Sequence, residues 1–156
     1  MRWTRKPLRG LLAGAGGVNR PSSVRAFWGY VLFWPVLMFL AIGNGILREA
    51  TFGQSMTDLH AHQLSTAIAM FLFGVSVFAL SRYLVPTSLK QAALVGSIWL
   101  VLTLSFEFLF GRYLAGHSWS QLFQEYDLLS GRVWPLLLVW IAFLPLLAYK
   151  SGEPAN

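Results

Sequence analysis

The stretch AFWGYVLFWPVLMFLAIGNGIL, residues 26–47, decides the fold class because it is long, apolar and free of charged side chains. A helix of this length covers about 33 Å at a rise of 1.5 Å per residue, whereas the hydrocarbon core of a bilayer is about 30 Å thick. A segment that crosses lipid must satisfy its own backbone hydrogen bonds, as a helix does. We therefore expect a transmembrane helix here. The 11–18 segment before it is too short and glycine-rich for a cleaved signal peptide, so the helix is expected to be retained as an anchor.

The composition of the whole chain indicates a membrane protein as well. Of the 156 residues, 56% are hydrophobic and 12% are charged, and the mean hydropathy is +0.57. A soluble domain usually has about a quarter of its residues charged, so a surface in contact with lipid explains this composition better. The absence of cysteine excludes disulfides, thiolate metal sites, iron–sulfur clusters and cysteine nucleophiles.

Three further apolar runs follow the first and complete one domain, residues 26–149. They lie at about 62–81, 91–111 and 133–149. The sequence therefore predicts an all-α fold, an integral membrane four-helix bundle. A basic tail at 1–25 precedes this domain, and a short tail at 150–156 follows it.

Individual residues predict how these helices begin, bend and pack. Thr57 is expected to cap the second helix, and Pro35 to kink the first. Trp28, Tyr30 and Trp34 are typical of the membrane interface at the start of the first span. Small residues allow helices to approach closely, and the glycines expected at such contacts are Gly43, Gly45, Gly74 and Gly96.

Lysine and arginine are unevenly distributed about the spans, which predicts the orientation. Nine lie in the N-terminal tail, the 82–90 connection and the C-terminal tail, against three on the alternate side, Arg48, Arg112 and Arg132. Because positive residues favour the cytoplasm, we expect both termini there and the longer loops, 48–61 and 112–132, outside. The basic N-terminal cluster is expected to contact anionic lipid headgroups, not nucleic acid.

The second outer loop predicts a short amphipathic helix over 118–129, lying at the membrane surface or over the mouth of the bundle. Ser118 and Gln121 have the spacing of a capping box. Apolar and aromatic residues then recur at helical spacing, and Gly131 is expected to end the helix before the fourth span. The recurring residues are Trp119, Leu122, Phe123 and Tyr126.

Ionisable residues outside the basic tail are concentrated on the predicted outer side, where all three histidines and five of the six acids lie. They predict a ligand-binding or proton-carrying site at the outer mouth of the bundle. Ion pairs between the loops are expected from Arg48 with Glu49 and from the 125–132 segment. The candidate site residues are Asn44, Arg48, His62, Gln63, Glu107, His117, Asp127 and Arg132.

Glu107 is the most informative candidate because an acid inside a span usually faces the bundle or a water-filled cavity. One possibility is an ionised carboxylate paired with Arg48, or with Arg112 if the helix end unwinds. The other is a protonated carboxyl group that carries a proton. A structural pair that closes the mouth and a functional carboxylate both stay open.

The histidines leave a metal site open, although no cofactor is predicted. His60, His62 and His117, together with a carboxylate, have the donor atoms that zinc or copper takes. Their spacing matches no specific metal signature, since His60 and His62 point about 200° apart on a helix. Hydrogen-bonded histidines and a pH-sensitive gate are the alternatives.

Five segments of the chain form a distinctive arrangement: Asn44…Arg48-Glu49, His62-Gln63-Leu64-Ser65, Phe106-Glu107-Phe108…Gly111, Gly116-His117-Ser118-Trp119 and Tyr126-Asp127…Gly131-Arg132-Val133-Trp134. This arrangement resembles small four-span bacterial inner-membrane proteins of unknown function. The resemblance covers about 40–149 and implies a multi-pass location in that membrane, without a reaction or ligand.

Three functions agree with this pattern, and no motif names a reaction. The first is a binding or transport module, or an accessory subunit, with the bilayer and a membrane protein or a second copy of the chain as partners. The second is an intramembrane enzyme that acts on a lipid or lipid-linked substrate at the outer leaflet. Glu107 or Asp127 would be its base, a histidine its acid or metal ligand, and Arg48 or Arg132 its phosphate-binding group. The third is a subunit of a redox or light-harvesting complex.

Overall fold

The chain folds as a helical bundle in the computed structural model, which describes residues 22–152. Six α-helices, and no strand, occur in this part of the chain. They are α1 (Ser23–Val31), α2 (Trp34–Ala50), α3 (Asp58–Ser81), α4 (Leu89–Leu109), α5 (Trp119–Gln124) and α6 (Trp134–Ser151). A wider π-helical turn, Phe110–Leu114, continues α4, and short 3₁₀ turns occur at Phe52–Gln54 and Leu128–Ser130. Most of the predicted basic tail lies outside the described residues.

Four helical segments are long and apolar enough to cross a membrane, which confirms the predicted fold class. The first comprises α1 and α2, and the third comprises α4 with its π-helical turn. The other two are α3 and α6. Each of the first three predicted spans lies within one of these segments, and the fourth segment begins at Trp134, one residue later than expected. Thr57 caps α3 as predicted, accepting a hydrogen bond from the His60 backbone N–H.

The first span is interrupted just before Pro35, as its sequence predicts. Proline has no N–H to donate to the preceding turn, so the helix breaks. The chain makes a turn at Leu32 and Phe33, and α2 then begins at Trp34 with the proline in its first turn. The two segments therefore have different main neighbours: α1 packs mainly against α4, whereas α2 packs mainly against α3.

The helix α6 lies between α3 and α4 and makes the largest interfaces of the bundle. Gly96 allows the closest approach, because a Cβ atom there would overlap the backbone carbonyl of Ala142. Gly74 contacts the ring of Trp140. The expectation for Gly43 and Gly45 was wrong, since a Cβ at either position would meet nothing within 4 Å.

The bundle has two halves that differ in packing. The closed half is centred on Tyr30, Phe73, Val77 and Trp99, which are buried together. The cavity half lies towards the two longer loops, and we call that end the loop end. Here α2 packs against α3, and a space remains between α2 and α4.

Two of the aromatic residues predicted at the membrane interface form hydrogen bonds within the bundle. The Tyr30 hydroxyl donates to the carbonyl of Leu84 in the connection between α3 and α4 (3.0 Å), and Tyr30 is fully buried. The Trp34 indole donates to the Thr103 hydroxyl (3.1 Å). An unpaired N–H is costly in hydrocarbon, and this hydrogen bond joins α2 to α4.

Candidate functional site: a cavity at the loop end

A cavity of about 550 Å³ lies between α2, α3, α4 and α6, and the segment after α4 covers its mouth. Its deep part is mainly apolar and is lined by Met38, Ala41, Ala69 and Leu137, with the Thr103 side chain as a polar exception. Its polar wall consists of Asn44, Ser65, Thr66, Thr103 and Glu107. Charged and imidazole residues surround the mouth: Arg48, Asp58, His62, His117, Glu125 and Arg132. The volume lies within the range of about 300–1,000 Å³ found for small-molecule sites.

Glu107 projects into this cavity from the last turn of α4, but it forms neither of the two expected ion pairs. One carboxylate oxygen, Oε2, accepts from the Tyr126 hydroxyl (2.6 Å) and from the Trp134 indole N–H (2.9 Å). Arg48 pairs with Glu49 instead. The Arg112 guanidinium lies over the Trp119 ring and donates to the His117 carbonyl. Two neutral donors therefore hold the carboxylate in place.

Tyr126 remains protonated in this arrangement. Burial raises the pKa of its phenol, and the hydrogen bond to Glu107 and the negative charge there raise the pKa further. A protonated phenol has a hydrogen to donate, so the bond from Tyr126 to Glu107 persists at neutral pH. It ties the loop after α5 to the end of α4.

The predicted amphipathic helix is present as α5, with the predicted capping box between Ser118 and Gln121. Its Leu122 is buried against Gly111, where a Cβ atom would come within 2.6 Å of the leucine side chain. Phe108 of α4 contacts three aromatic rings of the segment, those of Trp119, Phe123 and Tyr126. We call residues 115–131, which cover the cavity, the lid.

The helix in the lid is shorter than predicted. It ends at Gln124, because Asp127 starts a separate 3₁₀ turn by accepting hydrogen bonds from the backbone N–H groups of Leu129 and Ser130. Gly131 ends that turn with a φ of 86°, a conformation that favours glycine. Asp127 thus shapes the loop and does not line the cavity.

One ion-pair group joins the two loops, as expected. The Arg132 guanidinium lies 3.3 Å from a carboxylate oxygen of Asp58 in the first loop and 3.1 Å from one of Glu125 in the second. The Arg48–Glu49 pair (2.7 Å) instead joins neighbours in sequence. Gln63 adds a further link, since its amide donates to the Gly131 carbonyl (2.9 Å).

Asn44 and Arg48 share a face of α2 and both line the cavity, as their spacing predicts. Asn44 is buried, and its Nδ2 donates to the carbonyl and to the hydroxyl oxygen of Ser65, both at 2.8 Å. Its Oδ1 is a fully buried side-chain atom with no hydrogen-bond partner among the described residues. The polar wall therefore contains an unused acceptor.

The three histidines are not brought together, which corrects the three-histidine metal site. The ring of His60 hydrogen-bonds to the Thr57 hydroxyl (2.9 Å), and the ring of His62 lies 3.3 Å from an Asp58 carboxylate oxygen. His62 and His117 both line the cavity, but His60 does not. Within residues 22–152, no group of three or more histidine, cysteine, aspartate or glutamate residues is placed to hold a metal ion.

The sequence did not indicate the two partners of Glu107. Tyr126 was expected to be one of the apolar positions of the lid helix, and Trp134 lies at the start of the predicted 133–149 span, for which no partner was proposed. The signal in the sequence was that an acid inside a span needs hydrogen-bond donors. Tyr126 has an O–H and Trp134 has an N–H, and they lie in the loop and the span that follow Glu107.

The fold and the cavity define a small multi-pass membrane protein with a polar site at one end of its bundle. Comparison of the chain with protein-family models, with curated proteins and with solved structures found no match. The geometry of the site is therefore the basis for its interpretation.

Proposed function

We propose that this protein is a binding module that takes an amphiphilic, lipid-like molecule from the bilayer into the cavity at the loop end. The observation that carries the proposal is the division of the cavity into a mainly apolar deep part and a polar mouth. A hydrocarbon chain suits the first, and a polar head suits the second. The count of basic residues about the spans favours a mouth at the outer leaflet of a bacterial inner membrane.

Lateral access from the bilayer supports a ligand of this kind. Ile42 of α2 and Phe110 after α4 both line the cavity. Both also remain exposed on the surface of the bundle, with 40% and 42% of their area accessible. The gap between α2 and α4 therefore reaches a surface that lipid would cover, so a membrane-dissolved molecule can enter without passing through water.

Catalysis on a lipid-linked substrate has less support. That hypothesis requires Arg48 or Arg132 to bind a phosphate, but each is already paired with carboxylates. A phosphate would have to compete with those carboxylates for the same donors. Transport or an accessory role would build on the same binding step, with a membrane protein or a second copy as partner.

The test uses photolabelling of the full chain in lipid nanodiscs. The probes are three octadecyl amphiphiles with a diazirine in the chain, used as an equimolar mixture, and their heads are a primary amine, a hydroxyl and a carboxylate. Labelled peptides are identified by mass spectrometry, and total labelling of α2 and α4 residues that line the cavity is the readout.

A matched pair of glycine variants separates cavity binding from contact with surrounding lipid. Gly45 lines the cavity, whereas Gly43 is exposed and does not, and neither position would clash with a Cβ atom. Gly45→Phe is expected to reduce total labelling at least about fivefold, equivalent to roughly 1 kcal/mol of binding. Gly43→Phe is expected to label like the unmodified chain. Equal labelling in the two variants would overturn the proposal.

A further inference from the structure

We infer that the ligand head is a primary ammonium group, which pairs with the Glu107 carboxylate. This inference rests on the proposed function and specifies the chemistry of the molecule that it binds. It follows from three features of the cavity: an acid without a cation, basic residues that are already paired, and an unused acceptor in the polar wall.

Glu107 has a free oxygen and no cationic partner. Among residues 22–152 its carboxylate takes part in no ion pair. Both of its hydrogen bonds end on Oε2, and both donors are neutral. Its Oε1 accepts no hydrogen bond from the described residues, and this atom is not fully buried. This oxygen is therefore accessible from the cavity, and a charged donor is the partner that it lacks.

The basic residues at the mouth have no charge left for an anionic head. Arg48 is held by Glu49 at 2.7 Å. Arg132 lies between two acids, Asp58 and Glu125, so this group of three has one more negative charge than positive. Together with Glu107, the charged residues of the mouth repel an anion and attract a cation.

Asn44 has the second acceptor without a partner among the described residues, but its Oδ1 is fully buried, so a head group reaches it only after the side chain shifts. A backbone carbonyl accepts hydrogen bonds and cannot donate, so the contact with the Ser65 carbonyl fixes Nδ2 on that side and leaves Oδ1 as the unused atom. Asn44 is 7% exposed and lines the same cavity as Glu107. An ammonium group has three N–H donors and no acceptor, which suits a wall whose unused atoms are acceptors.

The experiment is the same photolabelling, with the distribution of label among the three heads as the readout. We expect the amine probe to label the cavity about tenfold more than the hydroxyl or carboxylate probe, a ratio that corresponds to about 1.4 kcal/mol of preference. Glu107→Gln keeps an oxygen that can accept from Tyr126 and Trp134, so the fold is retained. In this variant the preference is expected to fall to about twofold or less.

Ser118→Ala is the matched control. It removes the cap of the lid helix but leaves Glu107 and its two donors, Tyr126 and Trp134, in place, so the amine preference is expected to persist. If the preference were lost here as it is in Glu107→Gln, the lid and not the charge would govern it, and the inference would be wrong.

Competition by water-soluble ethanolamine identifies the source of the ammonium group. Inhibition only by a long-chain amine supports a lipid-like ligand, whereas equal inhibition by ethanolamine would overturn that assignment.

The two proposals fail in different ways. Equal labelling by all three heads that Gly45→Phe abolishes would overturn the ammonium inference and leave the proposed binding function intact. A preference for the carboxylate probe would do the same. Labelling that Gly45→Phe does not reduce would overturn the binding function itself.

Discussion

The closed half and the cavity half of the bundle are built from the same four spans, yet only one is filled. In the closed half, α1 packs on α4, and Trp99 is fully buried with its indole donating to the Tyr30 carbonyl (3.0 Å). In the cavity half, α2 turns towards α3, and small or polar residues stand where large apolar ones would be needed. The filled half and the open half therefore lie on either side of the break before Pro35, and the π-helical turn after α4 adds to the difference at the open end.

Small residues line the cavity, which explains why this half of the bundle is not filled. Ala41 and Gly45 of α2 and Ser65 of α3 line the cavity and contribute little volume to it. Lipid chains are as apolar as leucine, so membrane helices associate through packing and hydrogen bonds. Both halves have interhelical hydrogen bonds, from Trp99 to Tyr30 in the closed half and from Asn44 to Ser65 in the cavity half, so the difference between them is the volume of the side chains that face inward.

The largest expected effect comes from removing the main side chain of the closed half. Trp99→Ala should lower the free energy of unfolding by about 3–5 kcal/mol, because the large-to-small change leaves a cavity and loses packing. Denaturant titration of the protein in mild detergent measures the change. Trp28→Ala is the control, since Trp28 is 53% exposed and its loss should change stability by less than about 1 kcal/mol. Similar losses in both variants would contradict the distinction between the halves.

A pair of glycine substitutions tests the same comparison at smaller magnitude. Gly96→Ala forces a Cβ atom against the Ala142 backbone, so we expect a loss of about 1–3 kcal/mol from overpacking. Gly45→Ala meets open space and should be neutral or stabilising by up to about 1 kcal/mol, because alanine favours a helix more than glycine. The same titration applies, and a loss at Gly45 would mean that the cavity closes in solution.

The smallest expected effect concerns the link between the lid and α4. Tyr126→Phe removes one hydrogen bond and should lower stability by about 1 kcal/mol at neutral pH. The pKa of the phenol is raised in the folded protein, so its contribution is present below the ordinary tyrosine pKa of about 10 and is lost as pH rises through the folded value.

Thermal unfolding from neutral to strongly alkaline pH measures this difference. The unmodified protein should lose more stability than Tyr126→Phe above pH about 10, where an unfolded phenol ionises. Tyr83→Phe, whose side chain is 83% exposed, should follow the unmodified protein. Parallel curves for the unmodified protein and Tyr126→Phe would show that the hydrogen bond does not stabilise the lid.

The features that the sequence predicted are those that depend on local chemistry. Long apolar runs specify spans, Pro35 specifies a break, and Ser118 with Gln121 specifies a capping box. The partners of α1 and α2 were not predictable, because the direction in which a broken helix turns depends on contacts far away in the sequence. The hydrogen bond from Trp34 to Thr103 was not predictable either, since a tryptophan in a span is typical both of a membrane surface and of an interhelical hydrogen bond.

The sequence predicted which candidate residues lie together at one end of the bundle, but not how they pair. Sequence placed Glu107, Arg48 and Asn44 at one end of the bundle, and all three line the cavity. The expected partner of Glu107 was an arginine, because opposite charges attract. Arg48 instead took the nearest acid, its neighbour Glu49, and only the folded lid brought Tyr126 to the carboxylate. Long-range pairs of this kind depend on loop geometry, which composition and spacing do not specify.

The unequal lengths of the four spans have a consequence for the surrounding membrane. The first has 28 residues and α6 has 18, which correspond to about 42 Å and 27 Å of helix. The first span is therefore longer than a hydrocarbon core of about 30 Å requires, a mismatch that tilt relieves. The break before Pro35 divides this longest span, so α1 and α2 need not share one tilt in the bilayer.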